Sequence, residues 1–423
     1  LSAFFIFVSI SLYMLSPSKM RSIDFFLSWK SFLVFSCIVF SAKIIFSAYN
    51  NFSAEFFEDW KIADNLAHHG VYAWHMEHGS SAYKLPVYPF FLSVFIKTFG
   101  DLSAIKVIII VQHFLYFLLP ILIIKIFDCF QLKAAGFLAA YFFIFSPAYF
   151  YYSNILEATN LFILLFAVWG YFYSQLWTLR NSFWTVVVFS VVTAIVALTQ
   201  IVAVPIMVLM ILLLVFYKKI PVKYFLTIGG IAMLVYSPWV IRNYFTFDNI
   251  VLSKSPAWQN VFLGYTSDCQ ILPNHFITQD EERKIFEKVA SQDEFESEKI
   301  YHEEVLKIVE KDKLAPWKKA INNCISLWFV PKRYFNDNGL SVLIGRKLYI
   351  ICINFLFLVS LIYFFRRNKT LFLFLCVLFI GFTIPYLIGH ASNIRFKLDF
   401  EWIETSVIAL FIVLKYFTDK KNV

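Results

Sequence analysis

Three carboxylates, Glu55, Glu58 and Asp59, follow closely on an apolar stretch that ends near residue 48. Acids this close to a bilayer boundary are costly unless they face water, a pocket or a partner. So placed, a carboxylate can serve as general base, taking the proton from a hydroxyl or amine that attacks an electrophile. A plain solvated loop also accommodates such acids, and residue types alone leave both readings standing. The stretch continues as Ala63-Asp-Asn-Leu66, His68-His-Gly70 and Tyr72. It then runs through Ser81-Ala-Tyr-Lys-Leu-Pro-Val-Tyr-Pro89 into an aromatic run ending at Phe99-Gly100.

Cations that could meet a phosphate come from three distant places. Lys84 belongs to the same early stretch. Arg242 lies in Ser237-Pro-Trp-Val-Ile-Arg-Asn-Tyr244, and Arg395 and Lys397 in Ser392-Asn-Ile-Arg-Phe-Lys-Leu398; Lys332 and Arg333 are further candidates. Guanidinium offers a forked, permanently charged donor set suited to phosphate. The competing reading is snorkelling toward lipid headgroups. Glu157, in Tyr151-Tyr-Ser-Asn-Ile-Leu-Glu157, either braces such a site by pairing with a cation or is an ordinary helix N-terminal acid favoured by the dipole. Glu58, Glu157, Tyr83 and Tyr88 are expected as supporting groups.

Four histidines, His68, His69, His75 and His78, fall within eleven residues beside Glu77. These types ligate zinc, but the spacing matches no standard closed site. No cofactor is expected; a divalent ion stays open. Cys269 and Cys324 are the two cysteines of the large polar regions and could pair in an oxidising compartment.

The elements that position these residues are membrane helices. The chain has 423 residues, 60% of them hydrophobic and 20% aromatic, with 52 Phe and only 15% charged; mean hydropathy is +0.69. That composition describes a polytopic membrane protein. The net charge of +9 is no nucleic-acid signal, because the positives lie largely in short loops between apolar runs, where they set orientation. Leu1–Leu15 reads as a helix remnant, a signal-like segment or a span lacking its start. Apolar runs at 31–48, 102–124, 134–150, 157–175, 183–198, 201–217, 224–240, 348–365, 371–388 and 400–416 then cross in alternation. All short loops on one side come out basic under this threading, Arg180 among them, while His390 falls in a short loop on the other. It predicts about ten or eleven helices with the C-terminus cytoplasmic. The chain divides into a first membrane module (1–241), an outside region with helices (242–345) and C-terminal membrane helices (346–423).

Two segments lie outside, 50–102 and 242–345. Pro86–Gly100 is too short for an easy span and reads as a helix along the interface, aromatic side down. Thr278–Lys313 carries Ile285, Val289, Ile300, Val305 and Ile308 as an apolar stripe, which predicts a capping helical pair. Pro316–Pro331, with Trp317, Trp328 and Phe329, reads as a second interfacial helix. No internal repeat or low-complexity tract is evident.

The order of these features resembles the GT-C membrane glycosyltransferases of the protein-mannosyltransferase and aminoarabinose-transferase type. An outward first span is followed by an acid, Ala-x-Asn-Leu, a Gly and an aromatic, a basic residue with Pro and Tyr-Pro, and a helix ending Phe-Gly. Pro238-Trp-Val-Ile-Arg-Asn-Tyr244 with Phe247-Asp-Asn-Ile-Val251 is similar to a second family landmark. Arg395-Phe-Lys-Leu398 resembles the Arg-Tyr-Arg-Leu-Pro that often precedes the last helix. The resemblance implies an all-α GT-C-like bundle with outer-face interfacial helices. It further implies an inverting glycosyltransferase that moves sugar from a polyprenyl-phosphate donor to a lipid, glycan or protein acceptor. Such an enzyme works at the non-cytoplasmic face, here of a bacterial inner membrane in cell-envelope glycan or lipopolysaccharide synthesis. The base would be Glu55 or Asp59, with Arg395, Lys397, Arg242 and Lys84 on the donor phosphate. The chain departs from the pattern in three places. Lys84-Leu-Pro86 replaces basic-Pro-Pro, Asp399 replaces the late Pro, and the position eight before Ala63 is Glu55 where the family commonly has Asp. Asp59 falls where a Tyr is common, so the catalytic role is divided between the two acids. A transporter or flippase of lipid-linked sugars, or an O-antigen polymerase or ligase, is the alternative.

Overall fold

A computed structural model describes residues 25–179, 182–217, 219–329, 340–389 and 394–417. Expectations for Leu1–Leu15, Arg180, Lys332, Arg333 and His390 lie outside the described residues. Every regular element within them is helical. The protein is an all-α integral membrane bundle with a polar helical lobe at one end.

Among the described residues, six helices are long and apolar enough to cross a membrane: α1 (Trp29–Tyr49), α4 (Asp101–Cys129), α7 (Ala158–Trp177), α10 (Val222–Phe247), α15 (Leu340–Arg367, from Ile344) and α16 (Lys369–Ile388). Three more, α5 (Lys133–Ile144), α8 (Phe183–Ala197) and α9 (Val204–Phe216), are apolar but shorter, and α17 (Leu398–Tyr416) carries buried acids. Together they approach the expected number of spans. The run at 134–150 is not one helix. Pro147 has no N–H and pushes Ser146 into an extended conformation (ψ 120°), so the chain breaks and restarts as α6 (Pro147–Tyr152). Helices α10 and α15 also run past residues 241 and 345, so the lobe between them grows directly out of membrane helices.

Close packing fixes the bundle. Helix α5 sits between α4 and α17, and α7 packs on α4 and α8. At Gly136 an added Cβ would lie 2.9 Å from Phe127 Cβ and 3.0 Å from the Ile124 backbone, so only glycine lets α5 approach α4 this closely.

The early segment folds as α2 (Glu58–His69), a pinned loop and α3 (Val87–Phe99). Tyr88, Leu92 and Ile96, spaced by four, form the buried face of α3, while Phe90 and Val94 stay exposed. An interfacial helix was expected here, and a short amphipathic helix forms. The lobe comprises α11 (Ala257–Leu263), α12 (Gln279–Ala290), α13 (Glu294–Lys311) and α14 (Ala315–Trp328). Thr278 and Glu281 form a reciprocal capping box at the start of α12. Ile300, Val305 and Ile308 of the predicted stripe are buried; Ile285 and Val289 are half-buried.

Helix α14 turns its polar side inward. Lys319 Nζ donates to the Ile388 carbonyl at 2.8 Å and Asn323 Nδ2 to the Tyr386 carbonyl at 3.1 Å, tying the lobe to the end of α16. Trp317 and Ile321 point outward, the arrangement an interfacial helix needs. On the other side, Glu294 at the head of α13 accepts hydrogen bonds from Ser81 Oγ and Ala82 N. The lobe therefore holds the early loop in place.

Candidate functional site

Helix α2 begins at Glu58 after an extended Phe57 and ends at Gly70, whose φ of +70° closes it in the left-handed region. Glu58 and Asp59 occupy the first turn, where carboxylates are favoured by the unpaired N–H groups. Asp59, Ile62 and Ala63 share one face by their i, i+3, i+4 spacing. Ile62 and Ala63 are fully buried, so Asp59 is carried inward and is 2% exposed. Glu55 precedes the helix and is exposed. Of the two candidate bases, the fold brings Asp59 into the interior cluster and leaves Glu55 at the surface.

Lys84 meets both helix acids. Its Nζ lies 3.2 Å from Glu58 Oε2 and 3.3 Å from Asp59 Oδ2. Burial alone would pull this ammonium down, but the charges of Asp59 and Glu58 reverse the effect and hold its pKa above the ordinary value. Burial pushes Glu58 up, but Lys84, a backbone hydrogen bond and Arg395 together outweigh it, so the Glu58 pKa is lowered. Asp59 Oδ2 is buried and accepts no hydrogen bond among the described residues. A buried carboxylate oxygen with spare acceptor capacity is what a proton acceptor requires.

The loop that presents Lys84 is held from both sides. The Tyr72 hydroxyl donates to the Lys84 carbonyl at 3.0 Å, and Arg242 Nη1 to the Ser81 carbonyl at 2.7 Å. Pro86 then starts α3. Rigid presentation matters, because a charge displaced by about an ångström loses much of its effect on a transition state.

Arg395 arrives from the other end of the sequence. Its Nη2 lies 2.7 Å from Glu157 Oε1, and its guanidinium stacks over Phe57 and Phe396. Its charge is felt at Glu58 and Lys84, so the Glu157–Arg395 pair and the Lys84 triad form one electrostatic cluster. Glu157 immediately precedes α7. Burial, helped by the charges of Asp59 and Asp399, drives its pKa up to about 7 against the pull of Arg395 and Lys84.

Lys254 is a member that sequence reasoning did not single out. It is half-buried in the irregular segment after α10. Burial, and then the charge of Lys84, lower its pKa to about 8, against the opposing pull of Asp59 and Glu58. Its only sequence signal was a lone lysine downstream of the Arg242 motif, which nothing local connects to Asp59.

Two expected phosphate ligands are placed otherwise. Lys397 is fully buried and its ammonium is held by Glu404 at 3.0 Å and by Asn354. An intramembrane acid on the last helix demands this cation, so Lys397 is a structural counter-ion. Arg242 spends its guanidinium on the Ser81 and Tyr72 carbonyls and on Asn243, so it positions the Lys84 loop instead of facing the cluster. Tyr88 is buried and donates to Gln112 at 2.9 Å, a packing role between α3 and α4. Tyr83 stacks on Trp74 beside Lys84.

The acids of α17 were also missed as a set. Glu401 forms a forked pair with Arg346 at 2.9 and 3.3 Å, and Asp399 accepts from Thr159 and Tyr386 at 2.9 Å each. Three acids in one apolar run were the available signal.

The histidines do not converge. His68 offers Nδ1 to Asp64 at 3.0 Å and Nε2 to Asp101 at 3.5 Å, using opposite ring nitrogens as a bridge between helices; His75 lies 3.5 Å from Glu77. Asp64, His68 and Asp101 are the one group of three possible ligands that comes within 4.8 Å among the described residues. His68 Nδ1 also lies 3.2 Å from the Asp64 backbone carbonyl, and His68 and Asp101 of this group are exposed. Cys269 and Cys324 are both free thiols.

No protein-family model matches the chain, and no curated protein matches it. Among solved structures it is similar to ArnT from Cupriavidus metallidurans bound to undecaprenyl phosphate. The sequence identity is 12% and the TM-score 0.39, with 88% of this chain and 77% of that chain covered. The apo state of the same protein is similar to the same degree: 12% identity, TM-score 0.39, with 87% and 77% covered.

Proposed function

We propose that the protein is an inverting glycosyltransferase that takes sugar from a polyprenyl-phosphate donor and delivers it to an acceptor at the non-cytoplasmic face of a bacterial inner membrane. The observation that carries this reading is the Lys84 bridge. One cation binds two helix-terminal acids, one of them buried, with Arg395 and Lys254 in electrostatic reach. This constellation suits a reaction that needs one base and several cations and little else. The order of sequence motifs supplies the donor class.

In the reaction, Asp59 takes the proton of the acceptor hydroxyl or amine as that atom attacks the anomeric carbon. The bond from the anomeric carbon to the phosphate oxygen breaks, and the electron pair leaves with the polyprenyl phosphate. Lys84, Arg395 and Lys254 balance the charge that grows on the departing phosphate. Protonation of a phosphate leaving group is unnecessary at neutral pH, so no general acid is required.

The test is transfer by the purified protein in nanodiscs from a panel of undecaprenyl-phosphate sugars, read as released undecaprenyl phosphate and glycosylated product. Donor-dependent product is expected from the wild type and is expected to be lost in Asp59→Asn. Movement of intact donor between leaflets without product would overturn the enzymatic reading in favour of a flippase.

A further inference from the structure

A cavity of 640 Å³ opens between the early loop and the outer lobe, bounded by residues of both. This volume sits within the roughly 300–1,000 Å³ typical of ligand sites. Its inner wall carries Tyr83, the residue before Lys84, so the cavity adjoins the Asp59 cluster through the backbone of that loop. Tyr83 is close enough to Glu58 that this charge, after burial, helps raise its pKa to about 12.

Two properties of the wall restrict what it can hold. First, Trp74 and Tyr83, whose rings stack with centroids 4.1 Å apart and planes at 27°, both line the cavity and give it an aromatic wall. Gln259, hydrogen-bonded to Tyr83, stands at its rim. A pyranose ring lays its C–H face on such a wall and sends its hydroxyls to rim donors and acceptors. Second, the permanent charges are of one sign. Glu77, Asp293 and Glu294 line the cavity with His78 and with His75, whose pKa burial and then Lys61 lower, and no lysine or arginine does among the described residues. The cations of the site all belong to the neighbouring cluster. A phosphate or carboxylate entering here would lose its water facing acids with no permanent counter-ion.

We propose that this cavity is the acceptor subsite and that it takes a carbohydrate terminus that is neutral or amino-bearing, and rejects phosphorylated or uronic sugars. The inference rests on the glycosyltransferase reading and divides the site by charge: anionic donor on the Lys84 side, uncharged or cationic acceptor sugar on the Trp74 side. The division also gives specificity, since an anionic acceptor that strayed toward the cations would compete with the donor phosphate.

The experiment is saturation-transfer NMR on the full-length protein in nanodiscs. The probes are maltose, chitobiose and glucosamine, set against glucose 6-phosphate and glucuronate, with undecaprenyl phosphate binding measured in parallel. At least one neutral or amino sugar is expected to bind. Trp74→Ala should weaken it tenfold or more, and Trp74→Phe, which keeps a ring, should retain most of it and show that the fold is intact. In Gln292→Lys, a cation added to the wall should admit glucose 6-phosphate. Equal or tighter wild-type binding of the anionic sugars overturns the proposal, as does the absence of any sugar binding. If undecaprenyl phosphate still binds in a Lys84-dependent way, only this inference fails. If that binding is absent too, the glycosyltransferase reading fails with it.

Discussion

Lys84 Nζ stands 3.2 Å from Glu58 and 3.3 Å from Asp59, so one ammonium serves two consecutive residues of a helix. Neighbouring helical side chains point about 100° apart, and a cation reaching both must stand at the edge between their faces. Lys84 gets there because its loop is pinned by Tyr72, Arg242 and Glu294, each from a different part of the fold. On the proposed reading, this cation would be shared between the resting acids and the donor phosphate.

Replacing it tests that sharing. Lys84→Gln should lower affinity for undecaprenyl phosphate by tenfold or more in a direct binding measurement, because a charge-assisted contact contributes about 1.5–3 kcal/mol. Lys84→Arg should recover part of the loss. Unchanged affinity in Lys84→Gln would remove this residue from the donor site.

The two candidate bases separate cleanly by mutation. Asp59→Asn is expected to reduce transfer by about 10²–10⁴-fold, the usual contribution of general base catalysis, with donor affinity little changed. Glu55→Gln should remain within about twofold of the wild type, as surface substitutions usually do. The opposite ranking would assign the base to Glu55.

Glu157 should write a pH dependence into stability. Its folded carboxyl holds a proton up to about pH 7, while the unfolded one releases it near 4.5. Between these values the folded state binds more protons, so this group's contribution to stability falls as pH rises. Thermal unfolding in detergent should therefore show a decline across pH 4.5–7 that is flatter in Glu157→Gln. Identical slopes in the two proteins would refute it.

The Arg346–Glu401 fork should be fragile to single changes. Removing one partner of a buried pair leaves an uncompensated charge and costs about 3–5 kcal/mol. Glu401→Ala and Arg346→Met should each lower the thermal midpoint or yield of monodisperse protein. The apolar double variant Arg346→Met with Glu401→Met should be less damaged than either. Additive losses would show that the pair is not coupled.

Lys254, with a pKa of about 8, should react with dilute acetic anhydride at pH 8 faster than the exposed lysines of the lobe, as read by peptide mass spectrometry. Saturating undecaprenyl phosphate should protect it. Labelling no faster than the lobe lysines and insensitive to lipid would place it outside the phosphate site.

Local rules carried the architecture far. Apolar runs of bilayer length, basic short loops, the Thr278 capping box and the stripe at Ile300, Val305 and Ile308 are periodic or sequential properties, legible along one chain. So was the candidacy of Asp59, Lys84 and Arg395, since acids and guanidinium groups at helix ends near a bilayer need partners. What these residues touch was not legible. Lys397 and Arg395 are two positions apart, yet one is consumed by Glu404 and the other reaches Glu157. Arg242 and Lys254 are twelve apart, and the one without a motif joins the cluster. Burial and counter-ions come from helices hundreds of residues away, and Coulomb energies depend on those distances and on local dielectric, which only the folded packing sets. Sequence thus determined that the chain is a helical membrane protein with charges gathered at helix ends; tertiary structure decided which partner each of those charges meets.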